Sequence, residues 1–388
     1  MNRAGRMRLA GTLGVLAVLL LALWVRSGKL ESKQPAQTEV SPEAASAATQ
    51  MRRTPHLATN IVPAEMSSRG LQESFGSLLA AGDAKSARQQ LAELRAAFSA
   101  MPKSSAVAAI RQSLDSKVDS GTKLGFKVAR TGWLDDAPTM RTFLLDELGR
   151  LDPTAAAEYA KSILSSADSA DEWAVALRNL ARGDMSSAGR SLLEQKMGEM
   201  LRNEAWQQNP SVGYLEAFDA AVYLGGTNLM PVLTELVRKQ DNPAVAHAAY
   251  LALDRLVIND TATALSALEA DITLMQGREQ TRANYFARAD VRDPQQRQVL
   301  EKYLLDPQIG PAELNTFAGI YPNANFMISQ NLLTPTPTPD HTALLNRDAE
   351  SLRVLDEWLA DPRFVKVRPD LGKAKMRLEE FVRQVNSR

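Results

Sequence analysis

Apolar residues recur at three- and four-residue intervals through most of the chain, the spacing that lines one face of an α-helix. Early sets are Leu71, Phe75 and Leu78; Ala87, Leu91, Leu94, Phe98 and Met101; and Val107, Ile110, Leu114 and Val118. The middle continues with Phe143, Leu144 and Leu148; Tyr159, Ile163 and Leu164; Trp173, Leu177 and Leu180; and Leu193, Met197 and Met200. Leu215, Phe218 and Val222, then Leu229, Val232, Leu233 and Leu236, and finally Leu265, Leu268, Ile272 and Met275 complete the series. Each set spans about three turns, the usual length of a packed helix. No segment sustains strand alternation. Gly121 to Gly132 comes nearest and reads as helix ends and a connection.

Asn or Asp precedes Pro at Asp152, Asn209, Asn242, Asp293, Asp306 and Asp361. The side-chain oxygen caps orphan amides, and Pro at the first helical position loses no hydrogen bond. Most of these pairs therefore predict helix starts. Their spacing is irregular, which fits helix pairs of unequal length better than a strict repeat.

The segment Asn242 to Asp260 (NPAVAHAAYLALDRLVIND) has a capped start, small residues early, an aliphatic stripe and an Asn-Asp end. It resembles the second half of a HEAT repeat, and Leu151 to Leu164 is similar. The resemblance covers about Asp136 to Leu305. It implies stacked antiparallel helix pairs, an irregular α-solenoid, with a concave surface suited to protein or peptide binding. The tetratricopeptide signature at its 34-residue spacing does not align.

The N-terminus differs. Arg3, Arg6 and Arg8 precede the uncharged run Leu9 to Val25, and Arg26 and Lys29 close it. This is the layout of a secretory signal, just long enough to span a bilayer as a transmembrane helix. The flank offers a weak cleavage site after Ser27, and Trp24 suits an interfacial anchor. An uncleaved signal anchor over residues 1–26 is expected, with secretion after cleavage as the alternative. The body then lies outside the cytoplasm, in a bacterial-type periplasm. Residues 27–66, rich in Ser, Ala, Thr, Pro and Gln, read as a linker, and His56 sits there as a loop residue. A helical-repeat domain is expected over 67–305, an irregular connection rich in Asn and Pro over 306–340, and C-terminal helices over 341–388. The Thr-Pro alternation from Thr334 to Pro339 reads as a stiff connector or as a ligand for an aromatic groove.

Composition then removes chemistry. There is no cysteine, so disulfides, thiolate nucleophiles and cysteine metal sites are excluded. His56, His247 and His341 lie far apart. Phosphate-loop, dinucleotide, hydrolase-elbow and His-Glu-x-x-His motifs are absent. No catalytic, cofactor or metal residue is predicted. His247 reads as a packing histidine. The adjacent acids Asp135-Asp136, Asp171-Glu172 and Glu379-Glu380 read as solvated faces or caps, because neighbours on a helix diverge.

Net charge is zero, which argues against nucleic acid. The zero is a cancellation: residues 1–29 carry +5 and residues 363–388 carry +5, while the body is acidic. The basic tail holds Arg363, Lys366, Arg368, Lys373, Lys375, Arg377 and Arg383, candidates for binding anionic lipid or an acidic partner. It equally reads as a terminal capping helix with one core face. The expected function is a membrane-anchored, non-enzymatic scaffold for protein partners, without cofactor. The alternative is a helical envelope enzyme using carboxylates from separate helices on polysaccharide or peptide.

Overall fold

A computed structural model describes residues 83–386, except 167–168, 240, 326–329 and 336–339. The proposed anchor, the linker, the Leu71–Leu78 stripe and the Thr336–Pro339 part of the Thr-Pro run lie outside the described residues. The fold is predominantly helical, as the periodicity predicts.

Helices α1 (Ala84–Ala100) and α2 (Lys103–Asp115) open the described chain. Asp83 caps α1 by accepting from the Ser86 amide, and the buried face of α1 is Ala87, Leu91, Leu94 and Phe98. Each of Leu91, Leu94 and Phe98, once fully buried, stabilises the fold by about 1.5–3 kcal/mol. The next stripe runs one step too far. α2 ends at Asp115, Lys117 takes a positive φ of 56°, and Val118 is exposed.

Gly121 to Gly132 is not simply helix ends and a connection. Strand β1 (Lys127–Val128) pairs antiparallel with β2 (Leu134–Asp136), and Gly132 turns the chain at φ 77°. Strands of two and three residues are too short for a period of two to show in sequence.

Then follow α3 (Met140–Leu151), α4 (Pro153–Ser166), α5 (Ala170–Gly183), α6 (Ser187–Leu201), α7 (Glu204–Gln208), α8 (Val212–Glu216) and α9 (Asp219–Leu224). Next come α10 (Met230–Lys239), α11 (Pro243–Asn259), α12 (Thr261–Ala270), α13 (Glu279–Phe286), α14 (Pro294–Leu305) and α15 (Pro311–Ile320). The chain closes with α16 (His341–Ala360) and α17 (Arg368–Asn386). The Leu215, Phe218 and Val222 stripe is thus split between two short helices.

Four of the six Pro pairs start helical structure: Asp152, Asn242 and Asp293 cap α-helices and Asp361 caps a 3₁₀ turn. Two do not. Ser211, not Asn209, caps α8, and Asp306 makes a turn by accepting from the Gln308 amide, so α15 waits for Pro311. α16 begins at His341, where Asp340 caps it by accepting from the Ala343 amide.

Contacts follow chain order. α4 packs on α3 and α5, α10 on α11, and α16 on α17; helices two apart also touch, as in α3 with α5, α12 with α14 and α13 with α15. The α4–α5 approach is close. A Cβ on Gly183 would lie 1.9 Å from the Pro153 carbonyl oxygen. Aromatic rings tie α13, α14 and α15: Phe286 stacks on Tyr303 with centroids 4.0 Å apart, and Phe317 follows.

One segment breaks chain order. Asn331 to Thr334, long after α5, α9 and α11 in sequence, returns to bond all three. Leu332 is buried there, and its carbonyl sits against Gly132, where any Cβ would clash at 2.4 Å.

Candidate functional site

Ala244, His247, Ala248, Leu251 and Arg255 are spaced three, one, three and four, so they share one face of α11. That face meets the turn from α8 to α9 across a cleft of about 240 Å³. Leu215, Phe218, Ala248 and Leu251 give it apolar walls. Glu216, Asp219, Asp254, Arg255, His247 and Asn331 supply its polar groups.

Neighbours fix the walls. Asp171 on α5 accepts from the Ser211 hydroxyl at 2.6 Å and the Gly213 amide at 2.9 Å, which pins the start of α8. A Cβ at Gly213 would strike that carboxylate, so only glycine permits the approach. A chain of edge-on rings, Trp173, Trp206, Tyr214 and Phe218, then runs from α5 to the cleft wall with centroids 5.4 to 6.3 Å apart.

The three carboxyls differ in state. Asp219 accepts from the amides of Leu333 at 2.6 Å and Thr334 at 3.0 Å and from the Thr334 hydroxyl, and pairs with Arg255 at 2.8 Å. Asp254 is held in a two-pronged pair by Arg288 at 2.6 and 2.8 Å; burial pushes its pKa up against the pull of that guanidinium. Glu216 makes no hydrogen bond or ion pair among the described residues. Burial, reinforced by the nearby Asp219 charge and opposed by Arg255, pushes it up to about 7.

The return segment closes one side. Arg255 donates to the Asn331 side chain at 3.0 Å and Arg182 to the Leu332 carbonyl at 3.0 Å. Arginine on a carbonyl and aspartate on two amides grip the backbone, and the Asn331 and Thr334 side chains add bonds of their own.

Sequence reasoning missed Glu216, Asp219, Asp254 and Arg255. The available signal was ionisable residues set beside apolar stripes, Glu216 next to Leu215 and Asp254 next to Leu253. His247, expected as a packing residue, is exposed at the rim and stacks on Tyr250 at 6.4 Å.

The adjacent acids also differ from expectation. Asp136 is buried and holds Arg88 at 2.7 and 2.8 Å, which lowers its pKa. Glu172 is buried and holds Arg141 at 2.9 and 3.0 Å. Their partners come from distant helices, which residue spacing along one helix does not reveal. Glu379 and Glu380 do lie on the surface, near Lys375 and Arg383.

The basic residues of the tail lie on α17 and on the turn that precedes it. α17 packs on α15 and α16, with Leu371, Ala374 and Leu378 buried. Arg363 pairs with Asp361 at 2.7 Å, Lys375 with Asp356 at 2.5 Å and Arg383 with Glu380 at 3.1 Å. Lys373 donates to Asn315 at 2.5 Å, and Arg377 donates to the Tyr321 carbonyl. Lys366 lies between the 3₁₀ turn and α17, and Arg368 is the first residue of α17. The tail basics do not converge on the α8–α11 cleft.

Among the described residues no helix is long and apolar enough to cross a membrane, and no group of His, Asp and Glu is placed to hold a metal ion. No family model, curated protein or solved structure matches the chain.

Proposed function

We propose that this chain is a membrane-anchored, extracytoplasmic scaffold, an irregular HEAT-like α-solenoid that holds a protein partner through the face carrying the α8–α11 cleft. The observation that carries the reading is the capture of Asn331–Thr334. That face already holds a distant segment of the chain, through Arg182 on a carbonyl and Asp219 on two amides. Contacts between neighbouring helices and helices two apart support a stacked array. The uncharged run Leu9–Val25 behind three arginines supports the anchor.

The enzyme reading needs two carboxyls poised across a cleft. Here Asp219 and Asp254 are committed to arginines and amides, which leaves Glu216 alone. Scaffolding is the better fit.

A photo-crosslinking residue at Leu251, in the cleft, tests this in the membrane fraction. The scaffold reading expects discrete protein adducts there and none from a matched probe at the exposed Gln295. Equal labelling from both positions overturns it. Fractionation tests the anchor: the intact chain belongs in the membrane, and a soluble product beginning near Gly28 overturns that part.

A further inference from the structure

We propose that the α8–α11 cleft is a socket for a lysine side chain of the partner, with Glu216 as its counter-ion. The inference rests on the scaffold reading and names the chemistry of its partner.

Size gives the first reason. At about 240 Å³ the cleft falls below the roughly 300–1,000 Å³ of sites that enclose a whole small molecule. It suits one long side chain presented by a larger surface. The walls give the second. Leu215, Phe218, Ala248 and Leu251 offer apolar surface to a chain of methylenes, the part of lysine that buries well while its head seeks a polar group.

Charge gives the third. Arg255 balances Asp219, and Arg288 balances Asp254. Glu216 has no such partner, so once ionised it leaves one uncompensated negative charge beside apolar walls. A single cation on a flexible apolar stem matches both features. An anion or a neutral polar head does not. An unpaired carboxylate near apolar surface is costly to the free protein, and a lysine ammonium removes that cost on binding. Asn331 is part of the lining, so the chain's own return segment helps shape the socket.

The test uses the full-length protein in detergent with n-butylammonium as the probe and n-butanol as the neutral control. Methyl NMR signals of Leu215, Ala248 and Leu251 report binding at pH 8, where Glu216 is ionised. The expected result is saturable shifts with n-butylammonium in the millimolar range, as befits a fragment of a few heavy atoms. Glu216→Gln should weaken binding at least tenfold, and Glu216→Asp, which keeps the charge on a shorter stem, should retain part of it. Glu216→Gln removes only an unpaired charge and should stay folded. Equal shifts with n-butanol, unchanged binding by Glu216→Gln, or no saturation by n-butylammonium would each overturn the lysine socket. Protein adducts at Leu251 without n-butylammonium binding would end this assignment and leave the scaffold standing. n-Butylammonium binding without any adduct would do the reverse.

Discussion

Arg178 donates to Asp146 across 2.5 Å with neither side chain exposed to solvent. Asp146 also accepts from the Leu134 amide and from Arg150, while Arg178 reaches the Gly132 carbonyl. The pair therefore joins α3 and α5 to the β1–β2 ribbon. Trp133 covers it, with the guanidinium groups of Arg178 and Arg182 at 4.4 and 4.2 Å from the ring centroid. Burial pushes Arg178 below its usual pKa while the Asp146 charge resists that shift.

Asp146→Ala leaves the buried Arg178 guanidinium without a carboxylate, and Arg178→Ala leaves Asp146 with only Arg150 and the Leu134 amide. Asp146→Ala or Arg178→Ala should each destabilise the fold by about 3–5 kcal/mol. Replacing both with apolar residues of similar volume should cost much less than the sum. Urea denaturation of the singles and the double checks this, and additive losses would show that the two groups act independently.

The grip on the return segment gives a second expectation. Asp219→Ala removes the acceptor for two amides and leaves Arg255 without its carboxylate. A loss of roughly 3 kcal/mol is expected. Hydrogen exchange is the sharper measure. The Leu333 and Thr334 amides should exchange at least tenfold faster, with little change in α1. Unchanged protection at those two amides would contradict the assigned bonds.

Glu216 makes stability depend on pH. Its folded pKa, about 7, lies above the ordinary carboxyl value of 4.5, so the folded state binds the proton more tightly. Stability should fall as pH rises from about 4.5 to 7 and then level off. The groups around Glu216 are Asp219 on α9 and His247, Asp254 and Arg255 on α11. Partial exposure screens the effect, so Glu216→Gln should stabilise by about 1–2 kcal/mol at pH 8 and by almost nothing at pH 4. Thermal melts at the two pH values separate these outcomes, and a gain of equal size at both would refute the ionisation account.

Gly183 sits where α4 and α5 nearly touch. Gly183→Ala should cost about 1–3 kcal/mol through overpacking against Pro153, despite alanine's better helix propensity. Gly372→Ala is the control, since a Cβ there meets nothing within 4 Å. That variant should be neutral or slightly stabilising by circular dichroism melts.

Helix faces were the legible part of this sequence. The spacing of Ala87, Leu91, Leu94 and Phe98 alone names the buried side of α1. Local caps were mostly legible too, because Asp293 and Asn242 act on amides two and three residues away. Partnerships across the chain were not. Nothing near Asp136 points to Arg88, and nothing near Asp219 points to Thr334, so buried pairs looked like solvated acids. The cleft stayed hidden for the same reason. Its carboxyls come from three elements, and only their engagement elsewhere distinguishes Glu216 from Asp219 and Asp254.

An open solenoid can be shortened at any seam, because each unit depends only on its neighbours. Here the return of Asn331–Thr334 to Arg182, Asp219 and Arg255 withdraws that freedom. A nascent chain cannot complete the surroundings of Gly132 and α5 until residue 334 has been synthesised. Shortening the protein after α14 would leave Asp219 without its amides and empty the space that Leu332 fills beside Gly132, far upstream of the cut. Helices pack mostly on their neighbours in sequence, yet the surroundings of Gly132 are complete only once Leu332 has joined them.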